Sequence, residues 1–227
     1  LSSRPRLVIF DVDGTLVDSQ AHIMAAATRA FEGEGLATPA RAAVLGCVGL
    51  SLPVLMARIA PEADAGLQAR LVAGYRKGYG DLRAVGAEDL SPLYPGARDA
   101  LDALAGRDDV LLAVATGKSR RGMAHLIAQH GLVGMFQSIQ TADDHPSKPS
   151  PEMLRACLVE TGVDARDATI LGDTAFDMEM GRNAGVHALG VTWGYHDRNR
   201  LFQGGASEVI DDFTGVIPAL ERRWRLQ

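Results

Sequence analysis

The chain has 227 residues, 47% of them hydrophobic, enough to close a sizeable core without disulfide or metal staples. Its formal net charge is −5 and it carries no long Lys/Arg stripe, which argues against nucleic acid as a main partner. No run approaches the ~20 apolar residues of a membrane-spanning helix, and two distant cysteines, Cys47 and Cys157, suit free thiols in a reducing cytoplasm better than a disulfide framework.

The apolar run Leu7 to Phe10 reads as a first strand, and it is too short before its first acid for a signal peptide. Residues 19–86 look wholly helical. Ile23, Ala27 and Phe31 fall at i, i+4 and i+8 with Met24 beside them, and Gly33 and Gly35 end that helix. Thr38-Pro39 reads as an N-cap followed by proline at the first helical position, and Ser51 as a second cap. Leu67, Leu71, Tyr75 and Tyr79 again step by four, which core packing explains better than a cofactor site. A glycine-rich loop, Gly46 to Ser51 (GCVGLS), lies between two of these predicted helices.

From residue 92 apolar runs and helical stretches alternate. The expected strands are Val110 to Ala115, a segment around Phe136 to Gln140, Thr169 to Leu171, and His187 to Trp193; the expected helices are Ala97 to Gly106, Ser119 to His130, Pro151 to Thr161 and Phe176 to Ala184. Continuous apolar runs suggest parallel strands covered on both faces, and the alternation argues for an α/β fold with a doubly wound parallel sheet. The helical block is then an insertion after the first strand. The expected organisation is a core of residues 1–17 and 91–227 and a helical domain of 18–90, hinged near Leu16 to Ser19 and Leu90 to Gly96.

Ligands of an open parallel sheet bind outside the carboxyl ends of its strands. Asp11, Asp13, Gly14 and Thr15 follow the first strand. Thr116, Gly117, Lys118 and Ser119 follow the second, Asp143, Asp144 and Lys148 the third, and Asp173, Thr174 and Asp177 the fourth. Four carboxylates, a hydroxyl and an ammonium would meet at one rim, where their repulsion needs a cation. Oxygen-only ligands with open positions suit Mg²⁺, which takes one or two carboxylates plus substrate phosphate. Metal and lysine would neutralise a transferring phosphoryl group.

DVDGT, VATGKS, the lysine of SKPSPE and GDTAFD together resemble the four ordered motifs of the haloacid dehalogenase-like phosphohydrolases, covering the chain from residue 7 to about 186. The insertion resembles that family's helical cap, and DGTLVDS, LYPGA and GDTAFDMEMGRNAG are similar to phosphoglycolate phosphatases. The resemblance implies a cytoplasmic, Mg²⁺-dependent phosphatase acting on small phosphorylated metabolites, as a monomer or homodimer. It implies that Asp11 is the nucleophile that forms an aspartyl-phosphate, and that Asp13 is the general acid and then the base. Asp11, the Asp13 carbonyl and Asp173 would hold the metal, with Asp177 as an outer ligand. Thr116 and the Gly117 N–H would bind phosphoryl oxygens, and Lys148 would pair with Asp11 and the phosphate. Gly46, Gly49, Ser51 and His22 are candidate specificity residues in the cap, although for His22, Arg120 and Arg121 a helix-surface place is the simpler expectation.

Asp18 reads as a helix cap or hinge residue, Asp143 and Asp144 as loop, and the C-terminal ERRWR as a solvated helix face. Asp13 argues against a dehalogenase, which lacks this second aspartate. A sugar-phosphate mutase would carry a histidine at the register of Ile23, one residue from His22. A pyrophosphatase of the same fold stays open. A non-catalytic phosphoacceptor module would be about half this length and would have no helical insertion.

Overall fold

The computed structural model describes residues 4–84 and 91–225. Among them, six parallel strands form a sheet: β1 (Arg6–Phe10), β2 (Val110–Thr116), β3 (Ser138–Thr141), β4 (Ala168–Gly172), β5 (His187–Val191) and β6 (Glu208–Ile210), in the spatial order β3-β2-β1-β4-β5-β6. The chain builds outward from β1 to one side and then returns to build the other. The order therefore reverses beside β1, where such sheets open a crevice. Phe10 is level with Val114 of β2 and Leu171 of β4, so the residues after these three strands emerge at the same height.

Helices cover both faces. Val8 and Phe10 enter a core with α5 (Ala97–Ala105), α6 (Arg120–Gln129) and α10 (Val216–Arg225). Leu7 and Ile9 enter a second core with α7 (Glu152–Thr161), α8 (Ala175–Ala184) and α9 (Arg198–Gly204). Burial on both sides is why β1 reads as an unbroken apolar run instead of an alternating one. β3 begins two residues later than expected, at Ser138, and β5 stops at Val191. The ERRWR segment is not simply solvated. Trp224 is buried, with the guanidinium groups of Arg6 and Arg107 4.8 and 4.9 Å from its ring centroid. Trp224 closes an apolar stripe with Val216 and Leu220, at i, i+4 and i+8 of α10, which a reading of the five residues alone cuts short.

The insertion holds α1 (Gln20–Gly33), α2 (Arg41–Leu45), α3 (Leu52–Ile59) and α4 (Ala65–Ala84), broken by turns, so the block is not helical throughout; residues 85 and 86, and Leu90 of the second expected hinge, lie outside the described residues. Ala40, not Thr38, caps α2, because the chain turns helical only after Pro39. Ser51 does precede α3, but its side chain makes no capping bond; its backbone N–H donates to Ser147 Oγ of the core at 2.8 Å. Phe176 of α8 packs into the cluster of Phe31, Leu55 and Leu71, joining the insertion to the core. The two connecting segments lie side by side. Val17 bridges Leu93 antiparallel, with Asp18 N–H on Pro92 O and Tyr94 N–H on Leu16 O, each at 2.9 Å.

Candidate active site

Asp11 leaves β1 with its N–H still bonded to Leu171 O at 2.9 Å, so its side chain is fixed by the sheet itself. The chain then turns sharply, with the N–H groups of Thr15, Leu16 and Val17 all directed at Val12 O. Gly14 sits in this turn at φ +90°, and a Cβ there would come within 2.3 Å of Asp173 Oδ2. Glycine is required twice over, by its dihedral and by the carboxylate that presses on it. Asp173 enters from the end of β4, where Oδ1 accepts from Thr15 Oγ1 at 2.9 Å and Oδ2 accepts from Tyr195 N–H at 2.8 Å.

Lys148 is fully buried and reaches two carboxylates, Asp11 Oδ1 at 2.8 Å and Asp177 Oδ1 at 2.6 Å. Asp177 has a second task. Its Oδ2 accepts from Thr174 N–H and Oγ1, while Thr174 Oγ1 accepts from Asp177 N–H, a capping box that starts α8. Both Asp177 oxygens are thus engaged, which fits a lysine holder better than a free ligand.

Asp11, Asp173 and Asp177, all buried, each offer an oxygen within 4.8 Å of the others. Two full charges at that spacing repel by about 3 kcal/mol at an effective dielectric near 20. Burial, then the neighbouring Asp177, push Asp11 up to about 7 against the pull of Lys148. Burial, Asp11 and Asp177 push Asp173 well above the usual carboxylate range. Asp11 Oδ1 is spent on Lys148, whereas Oδ2 is buried without a hydrogen-bond partner, so one acceptor atom is left over. A carboxylate cluster with an orphaned oxygen fits a hard divalent cation. Asp13 behaves oppositely: burial would raise it, but Lys118, 2.8 Å away, outweighs burial and holds it below the usual range.

A cleft of about 840 Å³ opens over this floor. Asp11, Asp13, Thr116 and Gly117 line it from the core, and Gly49, Ser51, Tyr75 and Tyr79 from the insertion. The Gly46 to Ser51 loop reaches the core: a Cβ on Gly117 would lie 2.5 Å from Gly49 O and 2.7 Å from Leu50 O. Replacing Gly117 by Ala should therefore push this loop off the core and lower kcat/KM at least tenfold, with little change in the melting temperature of the protein.

The other singled-out residues lie elsewhere. His22 is neither on the helix surface nor on the cleft wall. It is buried, stacked on Tyr79 with ring centroids 3.6 Å apart, with Nε2 on Tyr79 O at 3.0 Å and Nδ1 3.4 Å from Ser91 Oγ. The clustering of aromatic residues from α1 and α4 buries it, a contact that helix periodicity does not show. Gly46 is also off the cleft wall; its carbonyl accepts from His196 Nε2 at 3.2 Å. Asp18 accepts from Gln20 N–H at the start of α1, and Asp143 from Arg120 N–H at the start of α6, while Asp144 pairs with the Arg120 guanidinium. Arg121 is exposed and lines the cleft. Sequence reasoning placed Lys118 at the rim, two residues after Thr116, without giving it a role, and assigned Tyr79 to a packing stripe that hid its hydroxyl.

The family model of haloacid dehalogenase-like hydrolases matches residues 8–191, and the chain belongs to that family. Within it, the chain is a phosphatase. A probable phosphatase of Dickeya dadantii, IndB, is 34% identical over 94% of this chain and 92% of its own length. A phosphoglycolate phosphatase of Agrobacterium fabrum is 32% identical over 97% and 95%. Among solved structures, a hydrolase from Pseudomonas syringae superposes with a TM-score of 0.82 at 24% identity, covering 96% of this chain and 98% of that one.

Proposed function

We propose that this phosphatase hydrolyses small phosphorylated metabolites, 2-phosphoglycolate first among them, through an aspartyl-phosphate on Asp11, with Mg²⁺ held by Asp11, the Asp13 carbonyl and Asp173. The observation that carries the reading is Asp11 itself: a buried carboxylate at the floor of the cleft, with Oδ1 on Lys148 and Oδ2 without a hydrogen-bond partner. The similarity to named phosphoglycolate phosphatases supports the choice of ester. No described helix is long and apolar enough to cross a membrane, and a small diffusing substrate agrees with that.

An Asp11 oxygen forms a bond to phosphorus as the ester P–O bond breaks. The departing oxygen takes a proton from the Asp13 carboxyl. Lys118 holds Asp13 in its ionised form, and a phosphate monoester bound as its monoanion brings the proton, its second ionisation lying at about pH 6. In the second half Asp13, again ionised, takes a proton from water as the water oxygen bonds phosphorus and the Asp11–phosphorus bond breaks, releasing orthophosphate. Thr116 Oγ and the Gly117 N–H orient the phosphoryl oxygens, and Lys148 offsets charge on Asp11. A bound Mg²⁺ supplies further neutralisation of those oxygens. The helical insertion, residues 18–90, acts as the cap that excludes bulk water and selects the alcohol.

A phosphate-release screen over a panel of phosphorylated metabolites tests the reading. Turnover should fall more than 100-fold in EDTA and return with Mg²⁺. Release that is insensitive to EDTA would remove the metal from the mechanism, and no release from any ester would remove the activity.

A further inference from the structure

Two buried lysines serve the two aspartates of DVDGT, and they are not equivalent. Lys148 is spent on Asp11 and Asp177, behind the cleft wall. Lys118 lines the cleft, yet its side chain is only 7% exposed. Its Nζ donates to Asp13 Oδ1 at 2.8 Å and to the Tyr79 hydroxyl at 3.2 Å, and lies 5.1 Å from the Tyr79 ring centroid. An ammonium has three N–H donors; the third has no protein acceptor among the described residues.

Tyr79 comes from the insertion and Lys118 from the core, so this contact spans the cleft. The hydroxyl adds no charge to offset the ammonium; what it supplies is direction. Tyr79 is in turn held flat against His22, 7° from parallel, which leaves its ring little freedom. Farther out, Arg76 of α4 and Arg121 of α6 line the same cleft. These two guanidinium groups bring positive charge to the outer wall of the cleft, where Asp143 is the one carboxylate among the described residues, whereas Asp11 and Asp13 make its floor acidic.

We propose that Lys118, aimed by Tyr79, recognises an anionic substituent next to the ester oxygen of the substrate, so that the favoured alcohols are short hydroxy acids. The inference rests on the reading of Asp13 as the group that serves the departing oxygen. That oxygen and Lys118 Nζ each lie one hydrogen bond from the same carboxyl group, which puts them no more than about 8 Å apart. A carboxylate one carbon beyond the ester carbon falls inside that span and accepts the spare N–H in a charge-assisted bond. Lys118 thus acts as a specificity residue and Tyr79 as a positioning residue.

The test compares two esters of equal chain length, 2-phosphoglycolate and the neutral-ended 2-hydroxyethyl phosphate, with p-nitrophenyl phosphate as a check on basic turnover. The wild-type protein should favour the acid at least tenfold in kcat/KM. Lys118→Met should cut that ratio at least tenfold, Lys118→Arg should restore part of it, and Tyr79→Phe should cut it severalfold, mainly through KM. A wild-type ratio near one would overturn the proposal without recourse to any variant. So would a Lys118→Met protein that slows both esters by the same factor, since that is the result of merely disturbing Asp13. If Lys118→Met fails to fold, the wild-type ratio and Tyr79→Phe still decide. Absence of phosphate release from all three esters would sink the phosphatase mechanism; release with no dependence on the carboxylate would sink the role of Lys118 alone.

Discussion

Asp11→Asn should abolish turnover, by at least four orders of magnitude in kcat, and leave a folded protein. An amide oxygen is a poor nucleophile toward phosphorus, and no neighbour can replace the lost carboxylate, because Asp173 is tied to Thr15 and Tyr195, and Asp177 to Lys148 and Thr174. The fold should survive for an electrostatic reason. Asp11 sits among like charges and is held up to about 7 by burial and by Asp177, so its ionised form costs native stability. Asn keeps the shape and removes that charge. Phosphate release by stopped assay and a thermal melt on the same preparation check both halves. Near-normal release would mean that phosphorus is attacked by something other than Asp11.

Lys148→Met should lower kcat by at least a hundredfold and destabilise the protein by about 3–5 kcal/mol, the usual cost of stranding a buried charge. Lys148 is the shared counter-ion of Asp11 and Asp177, and both partners hold its ammonium protonated against the effect of burial. Without it, Asp11 loses the chief influence that lowers its pKa and shifts further upward. The sign of the pH dependence follows. Between the unfolded carboxylate value near 3.8 and the raised native value, the native state binds more protons than the unfolded state, so stability falls as pH rises. The penalty should therefore be larger at pH 8 than at pH 5.5, a difference that urea melts at the two values would measure. Equal penalties at both would mean that the loss is one of packing alone.

The parallel sheet was legible because its central strands are buried on both faces and so appear as short apolar runs, Leu7 to Phe10 and Val110 to Ala115, each ending in polar residues. β6 was not, since three residues at a sheet edge make no such run. The convergence of Asp11, Thr116, Lys148 and Asp173 could be argued from strand ends, because in a parallel sheet those ends share a rim. The contacts of Tyr79 could not. They join a helix of the insertion to a loop 39 residues later and to a ring 57 residues earlier, and helix periodicity reports only which face is apolar. Asp177 was visible as an acid near the rim, but its place in a capping box depends on where α8 begins, and element boundaries are the weakest part of any pattern-based reading.

The side-by-side path of the two connecting segments has a consequence for how such a molecule can change. Because Val17 and Leu93 are adjacent, the sheet meets the whole helical insertion as it would meet the tip of a hairpin, through two chain ends already a strand's width apart. Lengthening, trimming or exchanging what lies between them alters loop-closure entropy by only about 0.6 kcal/mol per doubling. Ancestral recombination could thus trade one roof for another while the acidic floor stayed in register, letting new alcohols be tried on unchanged phosphoryl chemistry.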